Sequence, residues 1–314
     1  MLERVAIIDL GTNTFHLLIA EEKSDGFSFI YRERLAVRIG QRGINKGIIQ
    51  PDAIERAVRA LSSFRTTIDQ HEVLRIFAFG TSALRNAANA EEVIQIFKDK
   101  AGIDVTIISG EKEAELIFHG VKAAMELGKE NSLVMDIGGG SVEFIIGNED
   151  TILWKESFEI GAQRLLERFQ QHDPIQEQEI HSLEDYFQEK LASLFTAIHM
   201  HKPSTLIGSS GTFDTLSDIY CSKHDLFKRS EDAETPLTLQ GFYEIYEELL
   251  FKNREERMMI PGMIEMRVDM IVVACCLINF LLGRYAFENI RVSTYALKEG
   301  ILESLKLKEP ATNH

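Results

Sequence analysis

The sequence predicts an α/β protein of two domains made by duplication. Short apolar runs alternate with longer stretches of helical spacing. A strand that ends in Asp and Gly occurs twice, at Asp9 and again at Asp136. The 314 residues exceed what one core needs, at roughly 100–200 residues per domain. Each copy reads apolar strand, Asp, apolar residue, Gly, small polar turn, second apolar strand. The first is Ala6-Ile-Ile-Asp9-Leu-Gly-Thr-Asn-Thr14-Phe-His-Leu-Leu-Ile and the second Leu133-Val-Met-Asp136-Ile-Gly-Gly-Gly-Ser141-Val-Glu143-Phe-Ile-Ile. So long a period marks a duplicated domain, not a solenoid. The expected domains are 1–124 and 125–314, meeting at a cleft around residues 120–130, with the final helix, about 297–305, able to pack back on the first.

The elements follow in order. Residues 5–9 form a buried-strand signature, and the apolar runs at 15–20 and 27–31 extend it into a meander. Residues 51–68 place Ile54, Ala57, Val58, Leu61 and Phe64 on one helical face. A short strand at 76–80 leads to a helix start at 82–90 that continues or restarts over 91–100. A strand at 105–108 precedes a helix from Ser109 to about Leu127. After the second copy come an extended stretch at 151–158, helices at 163–169 and 176–201, and a strand, small-residue turn and helix start over 206–216. A polar excursion at 222–235 is followed by mainly helical chain, a last strand at 290–293 and a helix at 297–305.

With 34 Lys+Arg against 49 Asp+Glu, the net charge of −15 argues against a nucleic-acid coat or an anionic-membrane binder, which need a basic face. A small anion in a local basic pocket remains compatible. Cys221, Cys275 and Cys276 are too few and too badly spaced for a disulfide framework or a zinc site, and read as thiols of a reduced compartment. The N-terminus has no signal-peptide pattern. The apolar run at 271–282 is shorter than the ~20 residues of a spanning helix, so it reads as a buried core helix. A cytoplasmic protein is expected.

The two turns suggest phosphate chemistry. A tight turn of small residues can point several backbone N–H groups into one concavity. Gly138, Gly139 and Gly140 allow close approach and Ser141 adds a hydroxyl. Thr12, Asn13 and Thr14 do the same in the first copy, and Gly211 and Thr212 lie in a third small-residue turn. Asp9 and Asp136 would repel phosphate unless Mg²⁺ lies between. Glu143, two residues after Ser141, falls on the same side of its strand and is either a metal or water ligand or an exposed strand acid. Arg85, at a helix start, offers a fork for phosphate or for a surface acid. Glu111, Glu113 and Glu115 share the start of one helix, where acids also suit the helix dipole, and the pattern does not separate them. Residues 31–46 carry Arg32, Arg34, Arg38, Arg42 and Lys46 against Glu33 alone. They suit either an entry path for an anionic chain or a solvated edge strand.

These motifs resemble the phosphate-binding and third glycine motifs of the actin / sugar kinase / heat-shock chaperone superfamily. More narrowly, residues 9–16, 80–89, 109–120, 136–143 and 161–165 resemble the exopolyphosphatase / guanosine pentaphosphate phosphohydrolase (Ppx/GppA) family, in a short two-domain form. The resemblance implies two ribonuclease-H-like (actin-like ATPase) domains, each with a mixed sheet, around an interdomain cleft. There, water attacks the terminal phosphoryl group of polyphosphate or pppGpp, and the Mg²⁺ that Asp9 and Asp136 call for is the expected cofactor. It selects Glu113 as the base, gives Arg85 a phosphate-clamping role, and matches His16. Long members of the family carry further helical domains absent from these 314 residues, so short chains are expected over processive digestion. Dimers are common in the family, and the Phe/Leu-rich C-terminal helices could supply an interface. The alternatives are an ATP-dependent kinase of the same superfamily and a non-catalytic nucleotide-binding or actin-like assembly protein.

Overall fold

The structure, a computed structural model, describes residues 3–24, 26–229 and 231–306. The chain divides into two compact units. One holds the chain up to Gly120 together with the stretch from Leu297 onward, and the other is Val121–Ala296.

The first unit begins with the antiparallel meander β1 (Arg4–Leu10), β2 (Thr14–Lys23) and β3 (Gly26–Ala36). There follow α1 (Pro51–Gln70), β4 (Arg75–Gly80), the short α2 (Ser82–Arg85), α3 (Ala90–Ala101), β5 (Val105–Ile107) and the start of α4 (Gly110–Ala124). The sheet runs β3-β2-β1-β4-β5, with β4 and β5 parallel to β1. The apolar stripe of α1 buries Ala57, Leu61 and Phe64 against this sheet. β3 is longer than its apolar run because it is an edge strand, whose alternation leaves Arg32 and Arg34 in solvent.

The second unit repeats the plan with β6 (Ser132–Ile137), β7 (Val142–Gly147) and β8 (Ile152–Phe158). Helices α5 (Ala162–Phe169), α6 (Glu177–Lys190) and α7 (Ala192–His201) lead to β9 (Thr205–Ser209) and α8 (Ser210–Lys223). The rest is β10 (Glu234–Thr235), α9 (Leu239–Phe251), α10 (Arg254–Met258), α11 (Ile271–Arg284) and β11 (Asn289–Ser293). The sheet order is β10-β11-β9-β6-β7-β8. In both sheets a three-stranded meander continues, beyond its first strand, into parallel strands. The two sheets are mixed, as the family resemblance implies. The registers repeat too: Asp9 stands opposite His16 and Asp136 opposite Glu143.

Two details differ from expectation. The helical pattern at 176–201 is broken at Leu191, whose backbone leaves helical geometry between α6 and α7. The polar stretch at 222–235 ends in β10, a strand too short to show alternation, paired with β11. The apolar run at 271–282 is a core helix, α11, buried along nearly its whole length. Finally, α12 (Leu297–Lys306) returns to the first unit and packs on β1. Gly300 is required there, because a Cβ would overlap the Leu116 carbonyl of α4. Among the described residues no helix is long and apolar enough to cross a membrane.

Candidate active site

In the first unit the β1–β2 turn is buried: Thr12, Asn13 and Thr14 are all below one-tenth exposed. Its carbonyls are occupied by the chain leaving β3. Val37 N and Arg38 N donate to Asn13 O at 3.0 and 2.8 Å, and Gly40 N donates to Thr12 O at 3.1 Å. A trans peptide directs its N–H opposite to its C=O. The amides of Asn13 and Thr14 therefore point away from residues 37–40. Asp9 is half-buried, and its Oδ1 lies beside this turn, 4.0 Å from where a Cβ on Gly11 would sit.

The second unit solves the same problem with a helix. Gly161 N, Ala162 N and Gln163 N, at the start of α5, donate to the carbonyls of Gly140, Gly138 and Gly139. Gly161 is so close that a Cβ would meet Gly139 C at 2.5 Å. Arg164 Nε adds a bond of 2.8 Å to Gly140 O, and its Nη2 holds Glu159 at 3.0 Å. With three carbonyls turned onto α5, the amides of Gly139, Gly140 and Ser141 face the opposite way. A turn of this kind is an anion-accepting concavity.

Beside each hairpin turn lies the end of the neighbouring parallel strand. After β4, Thr81 Oγ1 donates to Leu10 O at 3.3 Å. At the end of β9, Ser209 Oγ and, just beyond it, Ser210 Oγ donate to Asp136 Oδ2 at 2.6 and 2.7 Å. Ser210 holds a left-handed backbone, φ 68°, which is costly for a residue with a Cβ. Thr212 is buried in the first turn of α8, and Gly211 is covered by the Arg267 guanidinium, which a Cβ would strike.

The three acids of α4 are distinguished by their surroundings. Glu111 is exposed, and Glu115 pairs with Lys112 at 2.5 Å. Glu113 is buried, 6% exposed, and its Oε2 takes a hydrogen bond of 2.8 Å from Arg85 Nη1. The same nitrogen lies 3.2 Å from Ile108 O, while Ser109 Oγ accepts from Lys112 N at the start of the helix. One guanidinium thus joins the end of α2 to the chain entering α4.

Glu143 is a buried acid, 1% exposed, and not the exposed strand acid that was the other possibility. Its Oε1 accepts from Ser157 Oγ at 2.6 Å, and it faces Asp136 across the ladder. Paired residues on an antiparallel ladder share one face with Cβ atoms about 4.5–5.5 Å apart. Two buried carboxylates so placed suit a divalent cation. Among the described residues no group of three or more His, Cys, Asp or Glu could hold a metal. The donor set thus fits an ion bound by one or two carboxylates, water and phosphate oxygens, as Mg²⁺ commonly is. It does not fit a closed protein cage. The cysteines are buried, and burial pushes the Cys276 thiol up to about 12.

Sequence reasoning missed the hydroxyls of Ser209 and Ser210 on Asp136, although it singled out the turn that carries them. It also missed Arg267, which lies between α10 and α11 in a segment with no motif of its own.

A sequence profile of the Ppx/GppA phosphatase family matches residues 18–309. The chain is 30% identical to exopolyphosphatase 2 of Mycobacterium tuberculosis, over 97% of this chain and 99% of that protein. It is 31% identical to a bifunctional 3-dehydroquinate synthase/phosphatase of Fusobacterium nucleatum over 96% of its own length, but spans only 47% of that larger protein. The crystal structure of an exopolyphosphatase from Cytophaga hutchinsonii superposes with a TM-score of 0.94 at 46% identity, covering 96% of this chain and 97% of that one. The buried turns, the Arg85–Glu113 pair and these likenesses lead to one assignment: the chain belongs to the Ppx/GppA phosphatase family.

Proposed function

We propose that this chain is a phosphohydrolase that releases terminal phosphate from inorganic polyphosphate, short chains above all, and from pppGpp. The observation that carries the reading is the buried Arg85–Glu113 pair. Of the three acids at the start of α4, it holds one in a fixed position. Hydrolysis of a phosphoanhydride needs a carboxylate to orient water in line with phosphorus and take its proton. Glu113 is that carboxylate, and Arg85 fixes its direction while presenting positive charge to the phosphoryl group. The water oxygen bonds to the terminal phosphorus, the bridging P–O bond breaks, and the shortened chain leaves with the bridging oxygen.

The amides of Asn13 and Thr14 in one turn, and of Gly139, Gly140 and Ser141 in the other, receive phosphate oxygens. The hydroxyls of Thr12, Thr14 and Ser141 add donors, as do Gly211 and Thr212 at the start of α8. Asp136 and Glu143, side by side in the β6–β7 ladder, are the proposed Mg²⁺ ligands, and Asp9 is the corresponding acid beside the turn of the first unit. The ion, when bound, supplies charge neutralisation at the phosphate oxygens. The buried thiols suit the reducing cytoplasm.

The test is phosphate release from tripolyphosphate, long polyphosphate, pppGpp and ATP, with Mg²⁺ or with EDTA. Turnover of tripolyphosphate and pppGpp that needs Mg²⁺ and falls at least about 100-fold in Glu113→Gln is expected. Equal rates for wild type and Glu113→Gln would overturn the assignment of the base. Transfer of phosphate to an alcohol in place of water would overturn hydrolysis.

A further inference from the structure

The backs of both turns are held by an arginine, and neither arginine belongs to the reaction described above. In the second unit the contact is direct. Arg164 Nε donates to Gly140 O, and Glu159 steadies the guanidinium at Nη2. In the first unit it is one layer removed. Arg56, on α1, donates from Nε to Val37 O at 2.9 Å and from Nη2 to Arg38 O at 3.1 Å. Its Nη1 is fixed by Asp52 at 2.6 Å, and Asp52 also takes Arg42 at 2.5 Å. Val37 and Arg38 are the residues whose amides bind Asn13 O. Of the two amides on Asn13 O, that of Arg38 shares a peptide plane with a gripped carbonyl, so the relay runs Asp52, Arg56, Val37 O, Arg38 N, Asn13 O. Arg38 and Arg42 both have left-handed backbones, φ 51° and 59°. Such a conformation persists only where surrounding bonds hold it.

We propose that Arg56 and Arg164 are positioning residues that aim the turn amides at phosphate. Arg164 does so by gripping the Gly140 carbonyl, and Arg56 by gripping the strap at residues 37–38. Fixing a carbonyl fixes the amide on the other side of the same peptide plane. The direction of the Thr14 N–H is thus set from the opposite side of the turn through Asn13 O, while the Asn13 N–H shares its plane with Thr12 O, which Gly40 N holds. The inference rests on the proposed phosphate-binding role of these turns and adds the residues that orient them. A fork is needed, because three acceptors at different places must be met at once: two carbonyls and a carboxylate. Lysine, with its single nitrogen, cannot span them.

The experiment measures tripolyphosphate binding calorimetrically in the full chain carrying Glu113→Gln, so that nothing is hydrolysed, and steady-state kinetics in the otherwise wild-type chain. Arg56→Ala and Arg164→Ala are each expected to weaken binding about tenfold and to raise KM by a similar factor, with kcat changed less than about threefold. Arg56→Lys is expected to lose an intermediate amount. Arg59→Ala, three residues along α1 and, among the described residues, paired only with Glu55 at 4.0 Å, removes the same charge and is expected to change neither. Amide exchange at Val37 and Arg38 should quicken in Arg56→Lys, which keeps this readout if the alanine variant does not fold.

Binding by Arg56→Ala and Arg164→Ala within twofold of the parent overturns the proposal, as does an equal effect of Arg59→Ala. Thr12→Ala and Ser141→Ala separate the two levels. If they weaken binding while the arginine variants do not, the turns bind phosphate and the relay is wrong. If none of the four weakens it, the phosphate reading of the turns has failed.

Discussion

Arg85 Nη1 stands 2.8 Å from Glu113 Oε2, with the two side chains 16% and 8% exposed. A carboxylate so enclosed depends on its guanidinium. Removing one member of a buried pair leaves the other charge without compensation, and this costs more than removing both.

Arg85→Ala is therefore expected to destabilise the protein by about 3 kcal/mol. The same change made on Glu113→Gln should cost at least about 1 kcal/mol less. Urea unfolding of the four proteins in the cycle measures the coupling. Additive costs would mean that the pair is not a unit.

Ser210 combines a left-handed backbone with a hydroxyl on Asp136. Glycine removes the backbone strain and the hydrogen bond together. Ser210→Gly is expected to leave stability unchanged or raise it by up to about 1 kcal/mol, while phosphate release falls about tenfold. Thermal melts and activity, compared on one preparation, check the opposite signs.

Glu143 and Asp136 place two carboxylates side by side in the β6–β7 ladder. Like charges directly opposite one another destabilise a sheet by up to about 1 kcal/mol. Glu143→Gln should thus be more stable than wild type in EDTA, yet gain less from added Mg²⁺. A Mg²⁺ titration followed by melting temperature reads both effects without reference to turnover.

Glu179 gives a pH signature away from the turns. Burial alone would raise its pKa, but the backbone N–H groups of Gln176 and Gln171 and the His172 side chain outweigh that and hold it below the usual carboxylate range. Its stabilisation is complete above the unfolded-state pKa and is lost as pH falls through the lower folded value. Glu179→Gln should cost about 1–2 kcal/mol at neutral pH and almost nothing once the pH has fallen below the lowered folded-state value. Denaturant midpoints at several pH values test the convergence.

The duplicated plan was legible because strand, acid and glycine are local signals, and the paired registers of Asp9 with His16 and Asp136 with Glu143 repeat it in space. The choice among Glu111, Glu113 and Glu115 was not legible from the residues. Separating them depends on which one Arg85 reaches, a contact across 28 positions of chain. The serine hydroxyls on Asp136 come from the parallel pairing of β6 with β9, and no periodicity announces which strands will be neighbours. Arg267 over Gly211 has the same cause: tertiary packing joins segments that have no common pattern. The β10 strand and the break at Leu191 were hidden for a simpler reason, since two residues and one residue are below the length at which spacing can be read.

The return of α12 to β1 has a consequence for biosynthesis. As the ribosome releases the polypeptide from its N-terminus, the first unit emerges without its closing helix, and the entire second unit must be translated before that helix appears. The nascent N-terminal sheet is exposed on its α12 side throughout this delay, so the half translated second is the first that can be finished.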